Sequence, residues 1–196
     1  MTTIIGIKAR DGVVLASDKQ ASMGNIVEDK RAQKIIPITD YILLAGSGTV
    51  ADLQHIAKIL KTELKLRELY SRRTMNVIEA ANLLSHLLYQ NRFYLNPLGL
   101  LIAGPINSKE FGIYSLDGIG AISEIKDYFA EGSGGVIALG TLEAEYNPDI
   151  TVRDAIKLAE KALKSSIARD VFSGYGIEIY TITKKGVEKL FLEAQK

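Results

Sequence analysis

Removing one residue, Met1, from this 196-residue chain would expose Thr2 at the head of a strand-like segment. A terminal threonine carries a nucleophile and a base on one residue. Its hydroxyl can attack, and its α-amine, with an ordinary pKa of about 7.7–8.0, can accept a proton near neutral pH. A lysine, at about 10.4, cannot be the base there. Other sources of such chemistry are scarce. The chain has no cysteine and two histidines, His55 and His86. That excludes disulfides, thiolate-bound zinc, iron–sulfur clusters and a cysteine nucleophile, and leaves little for a metal site or a His-dependent triad. Chemistry here would rest on Thr, Ser, Lys, Asp, Glu or the chain terminus, and no metal or other cofactor is expected.

Further polar residues stand at element ends. Asp18 ends the second strand-like segment, and Lys34 opens another after a turn-rich loop. Taken alone they read as two solvated charges, the usual state of these residues. Gly46-Ser-Gly48-Thr-Val-Ala51 has the spacing of a dinucleotide loop, after a strand and opening a helix. The next element is a second helix, so no parallel strand carries the ribose-binding acid, and a tight strand-to-helix turn accounts for the glycines. Glu131-Gly-Ser133-Gly-Gly135 also precedes a helix. Its glycines permit positive φ, and its N–H groups could hold an anion, but a structural loop is the simpler reading. Arg169-Asp170 closes a helix ahead of Ser173-Gly174, with Arg169 suited to a helix C-terminus.

The elements that must position these residues follow from periodicity. Strands are predicted at Thr3–Lys8 and Val13–Ser17, with Asp11-Gly12 as the hairpin signal. Further strands fall at 35–38, 41–45, 98–103, 110–115, near 119–125, at 176–183 and at 187–192. Two helices start after Thr49-x-x-Asp52 and Asn76-x-x-Glu79, and two more cover about 134–146 and 152–169. The four prolines, Pro37, Pro97, Pro105 and Pro148, fall between these segments. Strands in blocks and helices in pairs predict an α+β fold of antiparallel sheets with helices on their faces, stacked helix pair, sheet, sheet, helix pair. The length suits one domain over residues 1–196. At 47% hydrophobic and 24% charged residues, the chain reads as globular rather than disordered. A net charge of +1 makes no electrostatic case for nucleic acid or a membrane surface. No apolar run reaches the roughly 20 residues of a membrane span. With strand-like sequence directly after Met1, no secretory leader is expected, and the expected location is the cytoplasm.

Seven segments occur in one order: Thr2-Thr-Ile-Ile-Gly-Ile, Val14-Leu-Ala-Ser-Asp18, Lys34-Ile-Ile, Ala45-Gly46-Ser-Gly48 with Asp52, Gly132-Ser133-Gly134, Gly140-Thr-Leu-Glu143 and Arg169-Asp170-x-x-Ser173-Gly174. In this register the chain resembles a 20S proteasome β subunit, most like the archaeal type, over nearly all its length. The resemblance implies the N-terminal-nucleophile hydrolase fold, a four-layer αββα sandwich, and a threonine-type endopeptidase that cleaves unfolded proteins through an acyl-enzyme. It implies Thr2 as nucleophile and base, Lys34 beside its hydroxyl, and Asp18 holding Lys34 charged. It further implies Ser133, Asp170 and Ser173 around the terminal amine, and Gly48 as the oxyanion donor. Ala21, Ala32, Gly46 and Val50 would line a roomy pocket for a large hydrophobic residue before the scissile bond. The implied partners are proteasome α subunits, other β subunits in seven-membered rings, an ATPase acting through the α rings, and unfolded protein substrates. With Met1 attached the Thr2 nitrogen is an amide and cannot be a base. Two forms are therefore expected: a peptidase once Met1 is removed, or a mainly structural β-ring subunit that keeps it.

Overall fold

The computed structural model describes residues 2–96 and 98–193. Met1 and Pro97, both singled out in the sequence, lie outside the described residues. In chain order the elements are β1 (Thr3–Ala9), β2 (Gly12–Asp18), β3 (Ala21–Met23), β4 (Ile26–Asp29), β5 (Ile35–Pro37), β6 (Leu43–Gly48), α1 (Val50–Ser71) and α2 (Val77–Asn91), then β7 (Leu98–Pro105), β8 (Phe111–Asp117), β9 (Ile122–Ile125), β10 (Tyr128–Gly132), α3 (Gly135–Glu145), α4 (Val152–Arg169), β11 (Ile177–Thr183) and β12 (Gly186–Leu192).

Two five-stranded antiparallel sheets carry the fold, ordered β10-β1-β2-β11-β12 and β5-β6-β7-β8-β9. Strand alternation divides their side chains between two faces. In β1 and β2, Ile4, Val13 and Leu15 meet Leu43, Leu101 and Ile113 of the other sheet in a central core. The opposite face, with Ile5, Ile7, Val14 and Ala16, packs on α3 and α4 through Ala138, Leu142, Ala159 and Leu163. The second sheet turns Leu44, Leu100 and Ile102 toward α1 and α2, where Ile56, Leu60, Ala81 and Leu84 cover it. The result is the expected α+β stack of helix pair, sheet, sheet, helix pair, because each sheet has two apolar faces to bury.

Three local readings change. The hairpin between β1 and β2 turns on Arg10 and Asp11, with Gly12 already paired to Ala9. The short β3–β4 hairpin was not legible as strands, because Met23, Ile26 and their neighbours are largely exposed and carry no burial pattern. The edge strand β10 was also missed; it pairs with β1 from Thr3↔Gly132 to Ile7↔Tyr128.

The two helix-start signals behave differently. Asn76 forms a reciprocal capping box: its side chain accepts from Glu79 N at 2.9 Å, and Glu79 accepts from Asn76 N at 3.0 Å. Thr49 makes no side-chain cap bond, and Asp52 instead accepts from the backbone and side-chain nitrogens of Asn96 at 3.2 and 2.8 Å. Asn76→Ala is therefore expected to cost about 1 kcal/mol in urea unfolding, and Thr49→Ala only a few tenths.

Candidate active site

Asp18 is the last residue of β2, fully buried, and its carboxylate collects five donors. Oδ1 accepts from the Thr2 hydroxyl at 2.7 Å, the Thr3 amide at 2.9 Å and Lys34 Nζ at 2.6 Å. Oδ2 accepts from the amides of Gln20 and Gly174 at 2.9 and 3.0 Å. Thr2 and Lys34 are themselves 2% and 7% exposed. The predicted trio of Thr2, Asp18 and Lys34 thus meets on one carboxylate oxygen. Sequence spacing alone would leave Asp18 and Lys34 as solvated charges; packing of β1, β2 and the start of β5 buries them together. Burial pushes the Lys34 ammonium below its ordinary value, against the pull of Asp18, which holds it charged.

A second carboxylate anchors the other side of Thr2. Asp170, which caps the end of α4, accepts from Ser133 Oγ at 2.7 Å and Ser173 Oγ at 2.6 Å, both on Oδ2. A hydroxyl has one hydrogen, so Ser173, having given its own to Asp170, accepts the Thr3 hydroxyl at 2.8 Å. Ser133 Oγ also lies 3.4 Å from the Thr2 carbonyl oxygen, a longer and weaker contact than its bond to Asp170. Ser133 and Ser173 are thus gathered on Asp170 beside the Thr2 carbonyl and the Thr3 hydroxyl, whereas the resemblance implied them around the terminal amine. Thr3 was missed. Its only signal was a hydroxyl at a helix-facing position of β1, in line with Ile5 and Ile7. Gln20 and Gly174 contribute backbone amides, for which side-chain identity carries no signal.

Gly132 makes the close approach possible. Its φ is +93°, and a Cβ there would lie 2.1 Å from the Thr2 carbonyl oxygen. β10 can therefore reach the chain start, and bring Ser133 to it, only with glycine at this position.

Beside Thr2 lies a cleft of about 740 Å³ whose lining includes Ala21, Ala32, Lys34, Gly46, Gly48 and Val50. All four expected pocket residues and the expected oxyanion donor share this space. Gly48 has φ +119°, a left-handed conformation that glycine tolerates, and leads into the N-terminus of α1. The floor at Gly46 is apolar: a Cβ there would meet Leu53 Cδ1 at 2.3 Å. The cleft is not wholly apolar, because Glu28 and Asp29 of β4 add two carboxylates to its lining. Among the described residues no group of His, Cys, Asp and Glu is arranged to hold a metal ion, and no helix is long and apolar enough to cross a membrane.

Two antiparallel sheets between helix pairs, with a threonine at the head of an inner strand, define the sandwich of the N-terminal-nucleophile hydrolases. The family described as proteasome subunit matches residues 1–182. The chain is 44% identical over 187 residues to the proteasome subunit beta of Methanocaldococcus fervens and 42% identical over 187 to that of Methanocaldococcus jannaschii. Each alignment covers 95% of this chain and 84% of the relative. It is 39% identical over 186 residues to proteasome subunit beta 2 of Ignicoccus hospitalis, covering 95% of this chain and 86% of that one. The chain belongs to the proteasome subunit family, among the β subunits of its 20S core.

Gly132→Ala is expected to lower stability by roughly 1–3 kcal/mol, since the methyl group and the positive φ both oppose the native backbone. A thermal melt unchanged from wild type would contradict the close approach.

Proposed function

We propose that this chain is a threonine endopeptidase subunit, a single β-type domain that acts after Met1 is removed. The observation that carries the reading is the convergence of Thr2 Oγ1 and Lys34 Nζ on Asp18 Oδ1. Once freed, the Thr2 α-amine takes the hydroxyl proton, directly or through water. Oγ then bonds to the carbonyl carbon of the substrate. The Lys34 ammonium lowers the cost of developing alkoxide, and Asp18 keeps that ammonium charged and oriented. The tetrahedral oxyanion receives the Gly48 N–H at the positive end of α1. Loss of one such donor costs about 3–4 kcal/mol in other enzymes. The C–N bond breaks as the α-ammonium returns its proton to the leaving amine, and water hydrolyses the resulting ester. Ser133, Asp170 and Ser173 orient the terminal residue.

The pocket formed by Ala21, Ala32, Gly46 and Val50 favours a large hydrophobic residue before the scissile bond. The carboxylates of Glu28 and Asp29 oppose an acidic one. The working particle has this subunit in seven-membered β rings with other β subunits, between α rings through which an ATPase delivers unfolded protein in the cytoplasm. Membership of the proteasome subunit family supports that assembly.

Thr2→Ala is expected to lower peptide hydrolysis by the assembled particle at least about 10³-fold. Intact mass spectrometry of the active particle should show Thr2 as the first residue. Met1 retained in every copy, with hydrolysis indifferent to Thr2→Ala, would make the subunit structural instead. In a peptide panel, cleavage mainly after acidic residues would overturn the pocket assignment.

Lys34 must be protonated to act, and its pKa lies below the ordinary 10.5. Activity is thus lost on the alkaline side as pH rises through this lowered value. Asp18→Asn removes the attraction that raises it, so the alkaline limb of kcat/KM moves to still lower pH.

A further inference from the structure

Glu178 lies in β11 on the face turned toward the opposite sheet, in line with Tyr180 and Ile182 of the central core, and it is fully buried. Across the β2–β11 pair it stands opposite Ser17, the residue before Asp18. The Ser17 hydroxyl is buried and has no hydrogen-bond partner among the described residues, so it does not compensate the carboxylate. Two ammonium groups do. Lys19 Nζ lies 3.7 Å from Oε2, an ion pair without a hydrogen bond, and Lys189 of β12 forms the second ion pair at Oε1. An apolar side chain would fit this layer without the desolvation penalty of a charge. The feature to explain is what the carboxylate holds.

It faces the charge of Lys19, whose backbone joins three stretches of chain. The Lys19 amide donates to the Gly174 carbonyl at 3.0 Å, while the Gly174 amide donates to Asp18. The Lys19 carbonyl accepts from the amide of Ala32, a cleft residue, at 3.0 Å. One residue therefore ties β2, the 170–174 loop and the cleft wall together. Its charge matters as well. The charged groups acting on the Lys34 ammonium are Asp18 and Lys19 from the end of β2, and Asp170 from the loop after α4. The two carboxylates favour the proton on Lys34, and Lys19 opposes it.

We propose that Glu178 is a positioning residue for the Thr2 site, acting through Lys19: it meets that residue's charge against the inter-sheet core, at the junction of β2, the 170–174 loop and the cleft wall. The proposal rests on the peptidase reading for its activity readout alone.

The test is Glu178→Gln in the assembled particle, which keeps shape and removes charge. With Lys19 and Lys189 uncompensated, protons on Lys34 and on the Thr2 amine are harder to hold. Both limbs of the kcat/KM profile are expected to move to lower pH by about half a unit. Loosening of the junction should lower kcat roughly tenfold with KM little changed. Lys19→Met removes the opposing charge instead and should move the alkaline limb to higher pH, so it carries the test with reversed sign if Glu178→Gln does not fold. NMR titration of Lys34 in protein with 13C-labelled lysine reads the same shifts without hydrolysis. Unmoved limbs and an unmoved Lys34 titration in a folded variant would overturn the proposal. Hydrolysis that survives Thr2→Ala would remove the peptidase reading and leave the Lys34 titration to decide this one.

Discussion

Asp18 leaves water entirely and receives five donors in return, from Thr2 and the first residue of β1, from Gln20, from Lys34, and from the loop beyond α4. A buried carboxylate is tolerated only when its oxygens are satisfied and its charge is met. That requirement binds four separate stretches of chain to one point. Removing a partner from such a buried pair costs about 3–5 kcal/mol, because the remaining charge stays buried. The site is thus held by the same interaction that gives it its charge pattern.

The two carboxylates divide the work. Asp18 faces the Thr2 hydroxyl, and Asp170 gathers the serines that lie beside the Thr2 carbonyl and the Thr3 hydroxyl. Both sit at the ends of regular elements, β2 and α4, whose apolar faces are packed in the cores. Rigid elements hold the polar ends in register, and β10 closes the arrangement through Gly132. Thr2 and Thr3 have only β1 to hold them from within their own stretch of chain. Hydrogen bonds from distant segments supply that restraint here.

Much of the fold was legible in the sequence. Weak alternation in β1 and the apolar stripes of α1 and α2 reported buried faces, and Thr151-x-x-Asp154 marked the start of α4, where the Thr151 side chain accepts from Asp154 N. Segments whose order comes from pairing with a distant strand were not. β10 has no sharp alternation of its own, and β3–β4 presents exposed Met23 and Ile26. At Thr49-x-x-Asp52 the local signal marked the right helix start for the wrong reason, since Asp52 bonds to Asn96, 44 residues away.

Residue types determined which chemistry was open to this chain. With no cysteine and two histidines, Thr2, Lys34, Asp18 and the serines were the available groups, and their order along the chain carried the family resemblance. Only the tertiary structure decided that Thr2 and Lys34 share one oxygen of Asp18, that Thr3 belongs to the Asp170 network, and that Glu178 pairs with Lys19. The physical reason is range. Periodicity records which face a residue buries within its own element, whereas hydrogen bonds across up to 170 residues exist only after the two five-stranded sheets and the helices on their faces have packed.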